Sequence, residues 1–169
     1  MEPTTAPERS LQIRRVRIDA LHTDPANARK HGFENMAAIE ASLRRFGQAE
    51  PSVVHAGTGR VIGGNGRLAA MRSLGWTECD VVELDLAAID ATALGIALNR
   101  TGELAEWDEE NLARLLQALQ ADDALEGVGF DAAQLDELLA QFESEAEDLE
   151  DVEPGALPEE PVTRPGDLW

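Results

Sequence analysis

The segment Arg60–Trp76, RVIGGNGRLAAMRSLGW, holds the residues best suited to chemistry. A short apolar run leads into the glycine loop Gly63–Arg67, and a helix-like stretch follows. Glycines adopt backbone angles that other residues avoid and let a ligand approach the main chain. The free N–H groups at a helix start attract anions, and an arginine in the first turn adds a forked cationic donor. The loop therefore predicts a phosphate cradle.

Chemistry alone leaves other interpretations of the glycine loop open. A tight strand-to-helix turn can need glycine without any ligand, and Asn65 can cap the helix with its side chain. The letters GNGRLA also satisfy the loose dinucleotide pattern Gly-x-Gly-x-x-Ala, with Glu83 at a strand end about 20 residues on. The preceding strand reads as half of a hairpin and no second βαβ series follows, which disfavours a dinucleotide fold.

The elements that must position this loop follow from periodicity and turn residues. Alternating apolar residues predict a strand, with one break near Arg14, and Met36, Ile39, Leu43 and Phe46 predict one helix face. PSVVHA and Val61-Ile62, joined by GTG, predict a hairpin. The predicted elements are a strand over 11–23, a helix over 33–46 closed by Gly47, the hairpin, a helix over 67–74 closed by Gly75, and a buried strand in CDVVELDL.

The second half of the chain reads as helices followed by an acidic stretch. A helix is predicted over 87–98. WDEENLARLLQALQ predicts another, capped by Asp108, and FDAAQLDELLAQF a third, capped by Asp131 with Gln134 completing a capping box. Trp107 and Phe130 precede these caps as hydrophobic staples, onto Leu112 and Leu135 respectively. Residues 143–165 are acidic and proline-dotted, which predicts a linker or tail.

Charge divides the 169-residue chain, whose net charge is -19. Residues 1–75 hold 11 Lys and Arg against 7 Asp and Glu, whereas residues 76–169 hold 3 against 26. The chain taken as a whole would therefore repel nucleic acid, whereas its first half alone would not. Cys79 is the only cysteine, so no disulfide framework or cysteine-rich zinc site is expected. Without a long apolar run or a signal-like N-terminus, we expect a cytoplasmic protein with no membrane partner.

Four segments, in this order and spacing, resemble the ParB/sulfiredoxin superfamily: NARKH, FGQAEPSVV, GRVIGGNGRLAAMRSLG and ALNRTGELAEWD. The resemblance covers roughly residues 11–142. It is greatest to the ParB-like N-terminal domain, often labelled a nuclease, that is attached to phage and plasmid DNA methyltransferases. It implies an α+β fold, with a small mixed sheet and flanking helices, followed by a short acidic helical extension. The expected divisions are a disordered N-terminus (1–9), the ParB/sulfiredoxin-like domain (10–105), the helical extension (106–142) and the acidic tail (143–169).

The resemblance also implies a binding pocket. The glycine loop would hold the phosphates of a nucleotide, ATP or CTP, or of DNA. Two further segments and the helix of the ALNR motif would complete the pocket. Its implied members are Gly63, Gly64, Asn65, Gly66, Arg67, Arg29, Lys30, Gln48, Asn99 and Arg100.

Departures from the family pattern restrict the expected chemistry. Sulfiredoxins carry a catalytic cysteine in the loop, where this chain has Asn65, so reductase activity is not expected. Chromosomal ParB proteins carry a Glu-Asn pair that helps bind magnesium, and Ile96-Ala97 stands in its place here. This weighs against Mg²⁺-dependent CTP hydrolysis. Because the later helices are acidic, we also expect the helix-turn-helix DNA reader to be absent. No metal site and no catalytic residue is assigned.

Three functional hypotheses follow. The first is a nucleotide- or DNA-phosphate-binding module that serves DNA modification or plasmid and phage maintenance. A DNA methyltransferase domain is its candidate partner, because the terminal RPGDLW resembles the start of such a domain. The second is an enzyme, an NTPase, kinase or nuclease, with Glu103, Glu106 or Asp108 as candidate base or metal carboxylate. The third is a protein-interaction domain with a vestigial pocket.

A few side chains outside the pocket have two readings each. Arg14, Arg15 and Arg17 can contact DNA phosphates, although edge-strand protection by charge is the favoured interpretation. His31 follows Arg29-Lys30 and can help to bind phosphate, but histidines are also common in exposed turns. Trp76 and Trp107 read as core or staple residues rather than as stacking platforms for bases.

Overall fold

The computed structural model describes the backbone of residues 11–150 and the side chains of residues 11–142. Within this part, strands and helices form one sheet with flanking helices, which confirms the α+β expectation. The predicted disordered segment 1–9 lies outside the described residues. The elements are β1 Ile13–Arg17, β2 His22–Thr23, α1 Phe33–Phe46, β3 Ser52–His55, β4 Arg60–Gly63, α2 Asn65–Ser73, β5 Glu78–Leu84, α3 Ala88–Glu103, α4 Glu109–Ala121 and α5 Ala132–Glu150.

The sheet is mixed, with strand order β1-β5-β3-β4-β2. β3 pairs antiparallel with β4, as the hairpin prediction requires, and parallel with β5. β1 runs antiparallel to β5, and β2 runs parallel to β4. The dinucleotide reading is wrong, because α2 connects β4 to a strand that is two places away rather than a parallel neighbour.

The predicted single strand over 11–23 is interrupted. A turn of 3-10 helix, Ile18–Ala20, separates β1 from β2. Ile18 and Leu21 are 4% and 6% exposed, and the Ile18 N–H bonds to the Thr77 carbonyl at 2.9 Å. Burial of these two side chains on the helical side of the sheet turns the chain out of strand geometry.

The main core lies between the sheet and helices α1 and α2. Met36, Ile39 and Leu43 of the predicted α1 face pack there, and Trp76 packs against the same core, as predicted. Phe46 does not, since it is 55% exposed beneath the Arg45 guanidinium, 4.6 Å from its ring centre. The buried members are Ile18, Leu21, Leu43, Val54, Val61, Leu68, Ala70, Met71, Cys79 and Val81.

The helices α4 and α5 form a second packed unit. The Asp108 carboxylate accepts the Asn111 N–H at 3.0 Å, and Asp131 and Gln134 bond reciprocally at 3.0 and 2.8 Å, so both predicted caps are confirmed. Leu116 and Leu135 are buried between the helices. α5 continues to Glu150, so the predicted linker from residue 143 begins as helix, as its glutamate and alanine composition favours.

The two aromatic residues before these caps meet each other. Trp107 is 70% exposed, so the core reading of this residue is wrong. Its ring meets Phe130 edge to face with centres 6.0 Å apart. The two helix starts are thus joined by an aromatic pair.

The α4–α5 connection docks on α1 through Arg45. The Arg45 guanidinium donates to the carbonyl of Ala124 at 2.8 Å and to that of Glu126. Gly127, with φ of +77°, lies so close to α1 that an added Cβ would be 3.0 Å from the Ala41 carbonyl oxygen. Charged donors and backbone closeness therefore fix the second unit against the first.

Replacing Arg45 tests this docking. We expect Arg45→Ala to lower the stability of the α4–α5 unit by about 1–2 kcal/mol, because hydrogen bonds from charged donors contribute about 1.5–3 kcal/mol and solvent screens part of this at the exposed Arg45. Hydrogen exchange should accelerate in α4 and α5 and remain unchanged in β3–β5. The matched control is Arg44→Ala, which removes only the i,i+4 pair with Glu40. Equal exchange rates in the two variants would contradict the docking role.

Candidate functional site

The glycine loop is a left-handed turn between β4 and α2. Gly64 has φ of +97° and precedes the first helical residue. The first intrahelical bond runs from the Leu68 N–H to the Gly64 carbonyl at 2.9 Å. The N–H groups of Asn65, Gly66 and Arg67 consequently have no intrahelical acceptor, and such a helix start attracts anions.

Asn65 braces the loop with its side chain. It is only 8% exposed, and its amide donates to the Val61 carbonyl at 3.0 Å while accepting the Asp24 N–H at 3.0 Å. The capping interpretation of Asn65 is wrong, because Gly64 is the N-cap and no side chain caps α2. The side chain holds the loop to the segment after β2, and the Asn65 backbone N–H stays without an intrahelical acceptor.

Packing favours glycine in this loop independently of any ligand, most clearly at Gly64, where φ is also positive. A Cβ on Gly64 would lie 2.9 Å from the buried Ser52 hydroxyl. One on Gly66 would lie 2.6 to 2.9 Å from the His31 ring, and one on Gly63 would lie 2.7 Å from Leu98 Cδ1. The glycines thus have a structural role in the strand-to-helix turn, and phosphate binding would be a second role of the same loop.

Two cavities meet at the loop. The loop cavity, about 530 Å³, is bounded by the glycine loop, His31, Glu50 and an apolar floor that includes Val82 and Leu84. The arginine cavity, about 460 Å³, lies between residues 24–30 and α3. The two cavities adjoin, because they share four lining residues: Asn27, Arg29, Ile62 and Asn99.

Most of the pocket implied by the sequence assembles around these cavities. Arg29 and Asn99 line both cavities. Of these two cavities, Lys30 and Arg100 line the arginine cavity alone, and the five loop residues line the loop cavity alone. These placements bring the NARKH, glycine-loop and ALNR segments together.

Gln48 is placed elsewhere. Its side-chain amide donates to the Asp80 carbonyl at 2.7 Å and accepts the Asp80 N–H at 2.7 Å. This reciprocal pair continues the sheet beside β5 just ahead of β3. Gln48 lines neither the loop cavity nor the arginine cavity, because its polar atoms are engaged by a strand edge.

The arginines of the two adjoining cavities form ion pairs with carboxylates of the chain itself. Arg67 pairs with Glu50 at the rim of the loop cavity. In the arginine cavity, Glu103 bridges Arg29 at 2.6 Å and Arg100 at 3.6 Å. An incoming anion has to compete with these carboxylates for the guanidinium groups.

Helix α3 carries Asn99 and Arg100 to the site by close backbone packing. A Cβ on Gly95 would lie 3.2 Å from the Ile62 carbonyl oxygen, so this glycine lets the helix approach β4. The Asn99 amide donates to the Gly95 carbonyl at 2.8 Å. That bond fixes the Asn99 side chain along its own helix at the junction of the two cavities.

The importance of two residues at the site was not predicted: His31 was given little weight, and Asp24 was not identified. His31 is half-buried, with Nδ1 2.7 Å from the Asn35 side-chain oxygen and its ring against Gly66. Its place in NARKH was the available signal. Asp24 lines the arginine cavity with a side chain only 9% exposed, 3.5 Å from Arg60. No sequence signal distinguished it from an ordinary turn aspartate.

The β1 arginines are engaged at the sheet edge. Arg14 pairs with Glu83, Arg15 with Asp80 and Arg17 with Asp19. The Arg15 guanidinium holds the pKa of the Asp80 carboxyl below its usual range, chiefly through their hydrogen bond. These pairs support the edge-protection reading over a DNA contact.

The other groups considered for catalysis have structural surroundings. The Cys79 thiol is buried, and that burial raises its pKa, which disfavours the nucleophilic thiolate. Of the candidate carboxylates, Asp108 caps α4, Glu103 bridges two arginines, and Glu106 is exposed and lines neither cavity. Within residues 11–142, no group of three or more His, Cys, Asp or Glu is arranged to hold a metal ion. Among the described helices, none is both long and apolar enough to span a membrane.

Comparison with solved structures identifies the fold. The C-terminally truncated chromosome-partitioning protein ParB of Caulobacter crescentus, complexed with CTP-γ-S, superposes with a TM-score of 0.57 over 64% of this chain at 20% identity. The fold is that of ParB. A pNOB8-like ParB N-domain matches with a TM-score of 0.49 and 18% identity over 84% of the chain. This chain spans 62% and 65% of those two chains, less than two thirds of either. No curated protein matches it.

A family model also matches the ParB-like chain. Residues 110–165 match the ParB-methyltransferase HTH domain, so the expected absence of a helix-turn-helix is wrong. The described part of this region contains α4 and α5 joined by a turn. The prediction failed because it was inferred from surface charge, and surface charge does not determine how helices are arranged. The matched region nonetheless holds sixteen acidic residues against two arginines.

Proposed function

We propose that this ParB-like chain binds nucleotide phosphates, in the service of DNA modification or of plasmid or phage maintenance. One observation carries the proposal: Arg29, Lys30 and Arg100 line a cavity that adjoins the cavity at the amide-rich start of α2. A linked polyphosphate suits such a site, because its charges can be shared between helix-start N–H groups and forked guanidinium donors.

CTP is the first ligand to test, because the Caulobacter crescentus ParB structure is complexed with CTP-γ-S. The residues here fit such a group in two ways. The cationic side chains and loop amides suit the phosphates, and the apolar floor formed by Val53, Val82 and Leu84 suits a planar base. ATP, with the same phosphates and another base, is the natural comparison.

Magnesium is not required in this proposal. Ile96 lines the arginine cavity where a metal-binding carboxylate would be expected from the family pattern. We therefore expect binding of CTP in EDTA to be within a few fold of binding in Mg²⁺. A nucleotide or DNA ligand further implies action in the cytoplasm.

The testing experiment is a calorimetric titration of CTP and ATP into the full chain, with and without Mg²⁺, beside Arg67→Ala. Binding that is weakened in the variant supports the phosphate role. Release of inorganic phosphate, measured in parallel, would instead favour the NTPase alternative. Nucleotide binding to neither protein would favour the interaction domain with a vestigial pocket.

DNA is a second candidate ligand, favoured by the match of residues 110–165 to a helix-turn-helix model. The strong negative charge of that region opposes contact with DNA phosphates, whereas the first half of the chain is net positive. Anisotropy titrations with duplex DNA at several salt concentrations test this reading. DNA affinity that falls steeply with salt would support it, and lack of DNA binding at low salt would oppose it.

Association with a DNA methyltransferase is a further part of the proposal. It is supported by the description of the family model and by the resemblance of the last residues to the start of such a domain. Co-purification of this chain with a ParB-associated methyltransferase domain, followed by a methylation assay, tests it. Independent migration of the two proteins would remove that link and leave nucleotide binding untouched.

A further inference from the structure

One carboxylate joins two arginines in the arginine cavity. Glu103, the last residue of α3, accepts from Arg29 through one oxygen at 2.6 Å and lies 3.6 Å from Arg100 through the other. Arg29 comes from the segment after β2, whereas Arg100 and Glu103 come from α3. The carboxylate therefore links the two walls of the cavity and neutralises part of its positive charge.

The geometry of a carboxylate between two guanidinium groups resembles that of a bound phosphate. Both present oxygens to forked N–H donors, and guanidinium groups bind either in the same bidentate manner. Glu103 thus occupies the donors that a ligand phosphate would use. In the adjoining loop cavity, Glu50 likewise pairs with a cavity-lining arginine, Arg67, but with that arginine alone.

The contact is displaceable. The Arg29, Arg100 and Glu103 side chains are 43%, 61% and 46% exposed, so solvent screens their attraction. Partly exposed ion pairs contribute little to stability. A ligand with several negative charges can replace the carboxylate, and Glu103 can then turn to water without becoming a buried, unpaired charge.

We propose that Glu103 is an internal competitor that occupies Arg29 and Arg100 in the ligand-free chain and must be displaced when a polyphosphate binds. This inference rests on the proposed nucleotide function and adds the regulation of that same site. Glu103 weakens the binding of every ligand that uses these arginines, because the ligand must first break the ion pairs between Glu103 and the two arginines. A positioning role for Glu103 has the opposite consequence, since its loss would then weaken binding.

The test is calorimetric titration of CTP into the full-length wild type, Glu103→Gln and Glu106→Gln. Glutamine keeps the size of the side chain and removes its charge. We expect Glu103→Gln to bind CTP between about three- and tenfold more tightly, the range that two partly exposed ion pairs allow. Glu106→Gln is the matched control: it removes the same charge three residues away, from an exposed side chain that lines neither cavity. Thermal melting of each variant confirms that it is folded.

The outcomes separate this inference from the proposed function. Tighter binding by Glu103→Gln alone supports the competitor, including the case in which wild type shows no measurable binding. Measurable wild-type binding with unchanged or weaker binding by Glu103→Gln overturns the competitor and leaves the nucleotide function standing. An equal gain in Glu106→Gln shows a general charge effect and also overturns it. If neither wild type nor Glu103→Gln binds CTP, both proposals fail.

Discussion

The double variant Arg29→Ala/Arg67→Ala is expected to bind CTP at least about 100-fold more weakly than wild type. Each arginine offers a charge-assisted hydrogen bond to phosphate, worth about 1.5–3 kcal/mol, and tenfold in affinity corresponds to about 1.4 kcal/mol. Arg67 lines the loop cavity and Arg29 lines both cavities, so the pair removes a cationic donor at each position. Isothermal titration at constant ionic strength measures the loss.

The chain offers a close control for this charge change. Arg14→Ala/Arg17→Ala also removes two arginines from ion pairs, but at the β1 edge of the sheet. We expect this control to change CTP affinity by less than about threefold, because long-range attraction between exposed charges is screened by salt. Similar losses in both double variants would show that affinity depends on net charge rather than on the cavity.

Gly64→Ala is expected to destabilise the fold by about 2–3 kcal/mol. The left-handed backbone, with φ of +97°, costs an alanine about 1–2 kcal/mol. The new Cβ would also lie 2.9 Å from Ser52 Oγ, and Ser52 is only 1% exposed. Since the buried Ser52 side chain, at the start of β3, has little room to move, this contact adds to the backbone cost. Urea denaturation monitored by circular dichroism gives the free energy of unfolding.

Gly75→Ala separates the two contributions. Gly75 has φ of +75°, and a Cβ there would meet nothing within 4 Å. Its replacement should therefore cost only the backbone term, about 1–2 kcal/mol, and less than the replacement of Gly64. Equal destabilisation at the two positions would mean that the Ser52 contact is relieved without cost and that packing does not require glycine at the loop.

Local sequence signals predicted the helix and hairpin elements well because their causes are local. Gly47 and Gly75 have positive φ and lie just after the ends of α1 and α2. Asp131 and Gln134 each accept the other's backbone N–H within one helical turn. The interruption after β1 was missed, because Ile18 and Leu21 are apolar like strand residues. Only the distant helices that cover them decide on which side of the sheet they lie.

The composition of the candidate site was predicted better than its chemistry. The order of the motifs indicated which segments meet, and Arg29, Asn99 and the glycine loop line two adjoining cavities. The side-chain partners could not be predicted. Gln48 bonds the backbone of β5, Asn65 braces two segments, and Glu103 bridges two arginines. Each of these contacts joins residues whose closeness depends on the folded sheet or on the position of α3.

The most direct test of the central claim is a CTP titration of the ¹⁵N-labelled full-length chain, followed by amide NMR. We predict that the amide signals of Asn65, Gly66 and Arg67 shift and saturate together with the Arg29 signal, while that of Gly75 at the other end of α2 stays in place. Saturable CTP binding that shifts amides elsewhere and leaves the glycine loop unchanged, or no shift at millimolar CTP, would contradict it.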